Sequence, residues 1–321
     1  MSLARYLLRR AALAGLLIVF AASTAFFLTL AAPADEPFAG ADRESVHRRR
    51  AELGLDRPVL VQYVDWMGRV SRFDFGQSLI YMRPVAGMVG ERALNTAVLA
   101  ASALVLATGL GIPFGIFTGR RDGGVGVSIV RALSVLFLST PPLLASFALV
   151  LIAARTGWLP VGGMVSTAPA DATWHYWILD VARHLPVPAL ALALPMAAML
   201  ERLQSQAMRR AIDEPFVKAA RARGLSLARA DLVHGWRVSL ASVLGIYGVM
   251  IATLFSGSFV VEVVTAWPGL GRLMYDALRG RDLFLVAGCA AAGALSLAIA
   301  TLVSDTLMAI ADPRVRVSAG E

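Results

Sequence analysis

The side chains that could perform chemistry are few, and their spacing matches no common catalytic pattern. A phosphate-binding loop of the form G-x-x-x-x-G-K-[ST] needs a lysine to contact the phosphates, but Lys218 is the single lysine of the 321 residues and it follows Val217. No H-E-x-x-H spacing of a zinc site occurs among the histidines, which are His47, His175, His184 and His234. We therefore expect no catalytic residue, no cofactor-binding residue and no metal site in this chain.

A serine nucleophile inside the membrane is the remaining catalytic possibility. Ser256-Gly257-Ser258 lies in an apolar run, but no G-x-S-x-G frame surrounds it, and no histidine lies in such a run to act as a base. Small residues at this position favour a close contact between two helices instead. We expect that the chain is not an enzyme.

The elements that carry these residues are apolar enough to cross a membrane. The chain is 57% hydrophobic and 16% charged, with a mean hydropathy of +0.66, whereas soluble domains are about 25% charged. A helix needs about 20 apolar residues to span a bilayer. Six apolar runs occur, of which the fourth is the shortest, at 16 residues with three prolines: 11–32, 93–119, 132–154, 185–200, 238–261 and 283–304. We predict an all-α integral membrane protein with six transmembrane helices.

Positive charge predicts the orientation of these helices, because lysine and arginine concentrate in short cytoplasmic loops. With the N-terminus inside, the inner segments hold 16 of these residues and the two short outer loops hold five, so both termini are expected in the cytoplasm. The whole net charge of +8 then falls on inner segments, and it reports topology rather than nucleic-acid binding. The sequence predicts four parts. They are an N-terminal transmembrane helix (1–32), an extracytoplasmic segment with a small helical subdomain (33–92), a transmembrane core (93–311) with a cytoplasmic loop (201–237), and a cytoplasmic tail (312–321).

The segment 213–224 of the inner loop is predicted to be a short helix with a marked start and end. Glu214 stands at its N-terminus, where a carboxylate favours the helix dipole and can cap the first turn. Pro215 is tolerated there because its missing N–H would have no helical partner. Arg223 falls in the last turn, and Gly224 supplies a left-handed stop. A helix this short is marginal alone and must dock on another surface.

The expected docking face combines one large side chain with small ones. Phe216 and Ala220 are four residues apart and lie on one face, with Ala219 beside them. The small residues allow a close backbone approach, and Phe216 offers a single knob. From the residues alone two docking partners remain open: the bilayer surface, with arginines on the lipid headgroups, or a cytoplasmic protein.

This segment resembles the EAA loop of permease subunits in ABC importers. That loop has an acidic residue, two alanines and a glycine four residues after the second alanine, which here are Glu214, Ala219, Ala220 and Gly224. Further stretches are similar to the dipeptide, oligopeptide and nickel branch of the family, in the family's order: GLDRP at 54–58, DFGQSL at 74–79, TAWPGLGR at 265–272 and DPRVR at 312–316. The stretches 32–37 and 234–240 depart from that branch, which leaves the substrate open.

The resemblance implies the permease fold of type I ABC importers (MetI-like) and a subunit of an ATP-driven importer in a bacterial inner membrane. The chain would form half of a translocation pathway for peptides or peptide-like solutes. Its implied partners are a second homologous permease subunit, two ATP-binding subunits that hold ATP and Mg²⁺, and an extracytoplasmic substrate-binding protein. The residues expected to couple the chain to an ATPase subunit are Glu214, Phe216, Ala219, Ala220, Arg223 and Gly224.

A second implied site follows the fifth apolar run. The resemblance implies a short re-entrant helix that gates the outer end of the pathway, with Trp267, Pro268, Gly269 and Gly271. An interfacial tryptophan anchor followed by a tight turn explains the same residues. The competing function, an autonomous secondary transporter or channel, predicts ionisable residues in mid-membrane, and the sequence contains none that is convincing.

Overall fold

Helices dominate the part of the chain that the structure describes. The computed structural model describes residues 12–13, 15–21, 23–24, 26–27, 56–72, 74–167 and 173–311. Within these residues an isolated antiparallel bridge joins Gln77 and Pro84, and no β-strand is present. The helices are α1 (Val59–Val70), α2 (Val85–Gly119), α3 (Val125–Leu138), α4 (Pro142–Thr156), α5 (Trp174–His184), α6 (Pro186–Asp213), α7 (Pro215–Ala222), α8 (Leu227–Ala230), a π-helical turn (Asp231–Gly235), α9 (Trp236–Leu244), α10 (Tyr247–Val264), α11 (Leu270–Arg279) and α12 (Leu283–Ala311).

Four helices in the described ranges are long and apolar enough to cross a membrane: α2, α6, α10 and the part Leu283–Val303 of α12. The helices α3 and α4 meet this test only as a pair, and they are bent by 110°. The predicted all-α membrane class is therefore confirmed, with four such spans in the described residues, or five if the bent pair counts as one. Much of the first predicted span, 11–32, lies outside these residues.

The predicted span 132–154 is not one continuous helix, because the chain bends by 110° between α3 and α4. α3 ends at Leu138, and α4 begins at Pro142. Pro141 has φ −59° and ψ 146°, outside the helical region. A proline lacks the N–H that a helix needs and disfavours helical backbone in the residue before it. Two consecutive prolines therefore end one helix and begin the next.

Two other predicted runs have different bounds in the structure. Residues 186–200 of the run 185–200 belong to α6, which is 28 residues long. Pro186 and Pro188 fall in its first turn, where no N–H is needed, and Pro195 lies inside the helix. The run 238–261 is divided between α9 and α10, which are separated at Gly245 and the next residue. The shortest of the predicted apolar runs thus belongs to one of the longest described helices.

The described residues form two compact units. One unit consists of 96–268 and 299–311, and the other consists of 56–95 and 269–298 with the described positions between 12 and 27. Each unit has its own buried apolar core. The segment 213–224 belongs to the first unit.

In the second unit a buried carboxylate fixes the start of α12. Asp282 accepts hydrogen bonds from Ser78 Oγ at 2.5 Å and from the N–H of Leu79 at 2.7 Å. Its other oxygen accepts from the N–H of Leu285 at 3.1 Å, in the first turn of α12. Within the segment 33–92, where the sequence predicts a small helical subdomain, α1 is present and buries Trp66.

In the first unit α2 and α6 approach each other backbone to backbone. Three glycines of α2 are spaced four residues apart, which leaves a smooth stripe along the helix. A Cβ added to any of them would lie 2.6–2.7 Å from a side-chain Cβ of α6; the facing pairs are Gly111 with Leu200, Gly115 with Gln204, and Gly119 with Met208. Because α6 ends at Asp213, this contact also positions the segment 213–224.

A charged side chain of α5 holds the loop that precedes it. Ser166 donates to the Asp180 carboxylate from its backbone N–H at 2.5 Å and from its hydroxyl at 2.9 Å. The backbone hydrogen bond from Ser166 holds the pKa of Asp180 below its ordinary value; burial opposes this effect, and the Ser166 hydroxyl and nearby His184 add to it. The ionised carboxylate therefore stabilises this loop.

We expect Gly115→Ala to destabilise the chain by about 1–3 kcal/mol, the usual cost of forcing extra atoms into a packed core. The new Cβ would lie 2.6 Å from Gln204 Cβ and 2.7 Å from the Glu201 carbonyl oxygen, so α6 would have to move. Gly109→Ala is the matched control, because no atom lies within 4 Å of a Cβ there. Thermal denaturation of the detergent-solubilised chain measures both variants, and equal midpoints would contradict the tight contact.

We expect the contribution of Asp180 to disappear in acid. A carboxyl group whose pKa is lowered by folding stabilises the folded state above its unfolded pKa of about 4, and that stabilisation is lost as pH falls through the lowered value. The thermal midpoints of wild type and Asp180→Asn should therefore differ at neutral pH and approach each other as the pH falls below the unfolded pKa of about 4. A difference that stays constant over this range would show that the charge is not responsible.

Candidate functional site

The start of α7 follows from two residues at the end of α6. Glu214 occupies the N-cap position with extended backbone, φ −63° and ψ 141°, and Pro215 is the first helical residue, as predicted. The side chain of Glu214 makes no capping hydrogen bond, so the predicted side-chain cap is not formed. Its exposed carboxylate still lies beside the positive end of the helix dipole.

The end of α7 is a Schellman turn. Gly224 has φ +93°, and its N–H donates to the carbonyl of Arg221 at 3.0 Å, while the N–H of Leu225 donates to the carbonyl of Ala220 at 3.3 Å. The carbonyl of Ala219 accepts twice from Arg223, from its backbone N–H at 3.1 Å and from Nε at 3.3 Å. The predicted left-handed stop at Gly224 is confirmed, and α7 is a separate helix of eight residues.

The buried face of α7 differs from the predicted docking face. Val217 and Ala220 are 0% and 2% exposed and pack with Ala230 and Leu225 of the same chain. The prediction that Ala220 shares an outward face with Phe216 is therefore wrong. The physical reason is the Schellman turn, which folds the residue after its glycine back against the last turn of the helix.

The exposed surface of α7 includes a stripe of three predicted coupling residues. Phe216 is 43% exposed, and Ala219 and Arg223 are also exposed. These residues are spaced at i, i+3 and i+7, so they lie along one side of the helix. An aromatic knob, a small residue and a cation arranged in this way suit a groove on another protein.

A buried carboxylate connects α7 to the end of α2. Asp231, the first residue of the π-helical turn, accepts from Arg221 Nη2 at 2.6 Å and from Arg120 Nε at 3.2 Å. The side chain of Asp231 is 7% exposed. Sequence reasoning missed this cluster, although Asp231 is one of only four acidic residues in a loop with eight basic ones.

The end of α2 is further held by a second buried carboxylate. Glu201 of α6 accepts from the hydroxyl of Thr118 and from Ser134 Oγ at 2.8 Å. The carbonyl of Thr118 in turn accepts from Arg131 at 3.4 Å and from Arg209 at 3.3 Å. Cations at a helix C-terminus are favourable because they offset the helix dipole. Sequence reasoning did not anticipate these contacts, since the partners come from three different helices.

The residues predicted for an outer gate are divided between the two units. Trp267 is fully buried in the core of the first unit, which disfavours an exposed interfacial anchor. In the second unit Gly269 occupies the N-cap position of α11, and Gly271 is buried in its first turn. A short helix is present here as α11, which begins at Leu270; that it is re-entrant and gates a pathway stays a prediction.

The described residues contain no group of three or more histidine, cysteine, aspartate or glutamate side chains that could hold a metal ion. The clusters around Asp231 and Glu201 pair carboxylates with guanidinium or hydroxyl groups instead. What the arrangement offers is a short helix held by its own chain and exposed on one side.

Comparison with known proteins places the chain in a family. The model of the binding-protein-dependent transport system inner membrane component matches residues 111–317, and the N-terminal model of such membrane components matches residues 3–89. A protein of Brucella abortus (strain 2308) named for a peptide transport system is 35% identical over 317 residues, covering 97% of this chain and 98% of its own length.

Two further relatives are named as oligopeptide transport system permease proteins. AppB of Bacillus subtilis (strain 168) is 31% identical over 322 residues, with 98% of this chain and 99% of its own length covered. OppB of Mycobacterium bovis is 34% identical over 274 residues, with 83% of each chain covered. These matches confirm the resemblance that the segment 213–224 indicates. The chain belongs to the family of binding-protein-dependent transport system inner membrane components, the permease subunits of ABC importers.

Proposed function

We propose that this permease subunit forms half of the translocation pathway for peptides or peptide-like solutes and is driven through α7 by a separate ATPase subunit. The peptide substrate class is supported by the names of the relatives from Bacillus subtilis and Mycobacterium bovis. The observation that carries the coupling role is the exposed stripe of Phe216, Ala219 and Arg223 on a helix that is attached to its own chain through the buried Val217 and Ala220.

The proposed assembly contains the partners that the chain itself cannot replace. Two ATP-binding subunits would hold ATP and Mg²⁺, since this sequence has no phosphate-binding loop. A second homologous permease subunit would complete the pathway, and an extracytoplasmic binding protein would deliver the substrate. In this assembly the chain is a non-catalytic subunit, and the competing function of an autonomous transporter has no support among the relatives.

The proposed orientation puts α7 on the cytoplasmic side of a bacterial inner membrane. It is supported by the positive charge of the loop 201–237, which holds eight basic and four acidic residues. Both termini are cytoplasmic in this orientation, and the segment 33–92 lies outside. An ATPase subunit in the cytoplasm could then reach α7 without crossing the membrane.

The proposed mechanism is a rigid-body movement of α7. ATP binding would draw the two ATPase subunits together, and Phe216, seated in a groove on one of them, would carry α7 along. The Schellman turn and the packing of Val217 and Ala220 hold α7 against α8, so that the two helices form a hairpin. The helix α7 therefore moves without unwinding. The permease then exchanges between states open to opposite sides, as a population shift driven from outside this chain.

We expect Phe216→Ala to weaken the binding of ATPase subunits at least about tenfold, because truncating an aromatic anchor at an interface centre typically costs more than about 1.4 kcal/mol. The assay is co-purification of tagged ATPase subunits with the permease pair, followed by peptide uptake into proteoliposomes. Phe147→Ala is the matched control, since Phe147 is also exposed but lies on α4. Undiminished ATPase binding by Phe216→Ala would overturn the proposed coupling surface.

A further inference from the structure

The cluster around Asp231 joins parts of the chain that are far apart in sequence. Arg221 lies in the last turn of α7, and Arg120 is the residue directly after α2, 111 positions before Asp231. Each guanidinium bonds a different oxygen of the same carboxylate, at 2.6 Å and 3.2 Å. One carboxylate therefore connects the proposed ATPase-contacting helix to a membrane helix.

Burial distinguishes this cluster from an ordinary surface ion pair. The side chain of Asp231 is 7% exposed, while those of Arg120 and Arg221 are 25% and 26% exposed. Exposed ion pairs contribute little because water screens them, whereas removing one partner of a buried pair leaves an uncompensated charge. Removing Arg120 would therefore leave the buried Asp231 carboxylate less compensated.

The local backbone positions Asp231 for this contact. It begins a π-helical turn that extends to Gly235, and such wider turns occur mostly as short insertions, often at functional sites. Gly235 is buried, and a Cβ there would lie 3.3 Å from Met208 Cε on α6. The π-helical turn therefore packs against α6, and this contact limits the movement of Asp231.

The end of α2, directly before Arg120, is also held in place. Gly119, the last residue of α2, packs against α6, where a Cβ would lie 2.7 Å from Met208 Cβ. The carbonyl of the preceding residue, Thr118, accepts from both Arg131 and Arg209. A displacement of Arg120 therefore reaches α2 itself, a single helix of 35 residues and about 52 Å.

We propose that Asp231 is a positioning residue that transmits the movement of α7 to α2 through Arg221 and Arg120. The inference rests on the proposed function of α7 as the ATPase contact. The inference names α2 as the membrane helix that moves with α7, and it names the side chains that connect the two helices. Without the bond between Asp231 and Arg120, α7 would still bind the ATPase subunit and would move with α8, while α2 would follow only through its packing against α6 and would move less.

The test uses Arg120→Gln in the complete transporter, reconstituted with its ATPase subunits and binding protein in proteoliposomes. The expected result is that ATPase subunits stay bound and hydrolyse ATP, while peptide imported per ATP hydrolysed falls at least about tenfold. Arg120→Lys should recover part of this ratio because it restores the cation. Asp231→Asn should lower the ratio as well, and combining it with Arg120→Gln should add little, as expected for two changes that break one contact.

Arg121→Gln is the matched control. Arg121 is the next residue and carries the same charge, but its guanidinium lies 4.4 Å from the centre of the Phe117 ring and does not bond Asp231. Its ratio of uptake to hydrolysis should stay within about twofold of wild type. A similar loss in Arg121→Gln would overturn the inference, because the effect would then follow the charge of the loop rather than the contact.

Two other results would also overturn it. If Arg120→Gln lowers hydrolysis and uptake in the same proportion, or lowers only the amount of assembled complex, the cluster is merely structural. If the ratio does not change, α2 does not depend on Asp231. Either result leaves the proposed function intact as long as Phe216→Ala loses its ATPase subunits, so the two failures can be distinguished.

Discussion

The close approach of α2 and α6 is the contact on which the rest of the coupling region depends. Its glycine stripe brings the end of α2 against Glu201 and Gln204, and a larger residue at Gly115 would collide with the backbone of α6. The same contact places Thr118 where the Glu201 carboxylate can accept from it. Since α6 continues to Asp213, directly before the N-cap of α7, the position of α7 follows from the same packing.

In α7, some residues attach the helix to its own chain and others are exposed. The turn at Gly224 brings Leu225 and α8 back onto Val217 and Ala220, and this small cluster fixes the rotation of the helix about its axis. With that face occupied by the chain itself, Phe216 is left outward. Local backbone chemistry thus decides which side of the helix a partner can meet, and the buried Asp231 carboxylate connects the same hairpin to α2.

Features that depend on neighbouring residues could be predicted from the sequence, and those that depend on distant contacts could not. Pro215 and Gly224 are sufficient to predict the bounds of α7, because capping is a local property. Ala220 is buried because α8 folds back onto it, and helical periodicity alone does not predict this contact. The contact of Asp231 with Arg120 joins residues 111 positions apart, so no spacing rule could indicate it. Apolar runs likewise predicted the membrane class, but they do not determine the 110° angle between α3 and α4.

The central claim, that α7 presents one face to an ATPase subunit, is tested most directly by the accessibility of two neighbouring alanines. Ala219 is exposed and Ala220 is 2% exposed, and the native Cys289 is buried, so single cysteines at these positions can be compared. We predict that a water-soluble maleimide labels Ala219→Cys in the purified permease and that bound ATPase subunits protect it at least about tenfold, the effect of a buried interface position. Ala220→Cys should react slowly in both preparations. Equal labelling of Ala219→Cys with and without the ATPase subunits would contradict the account.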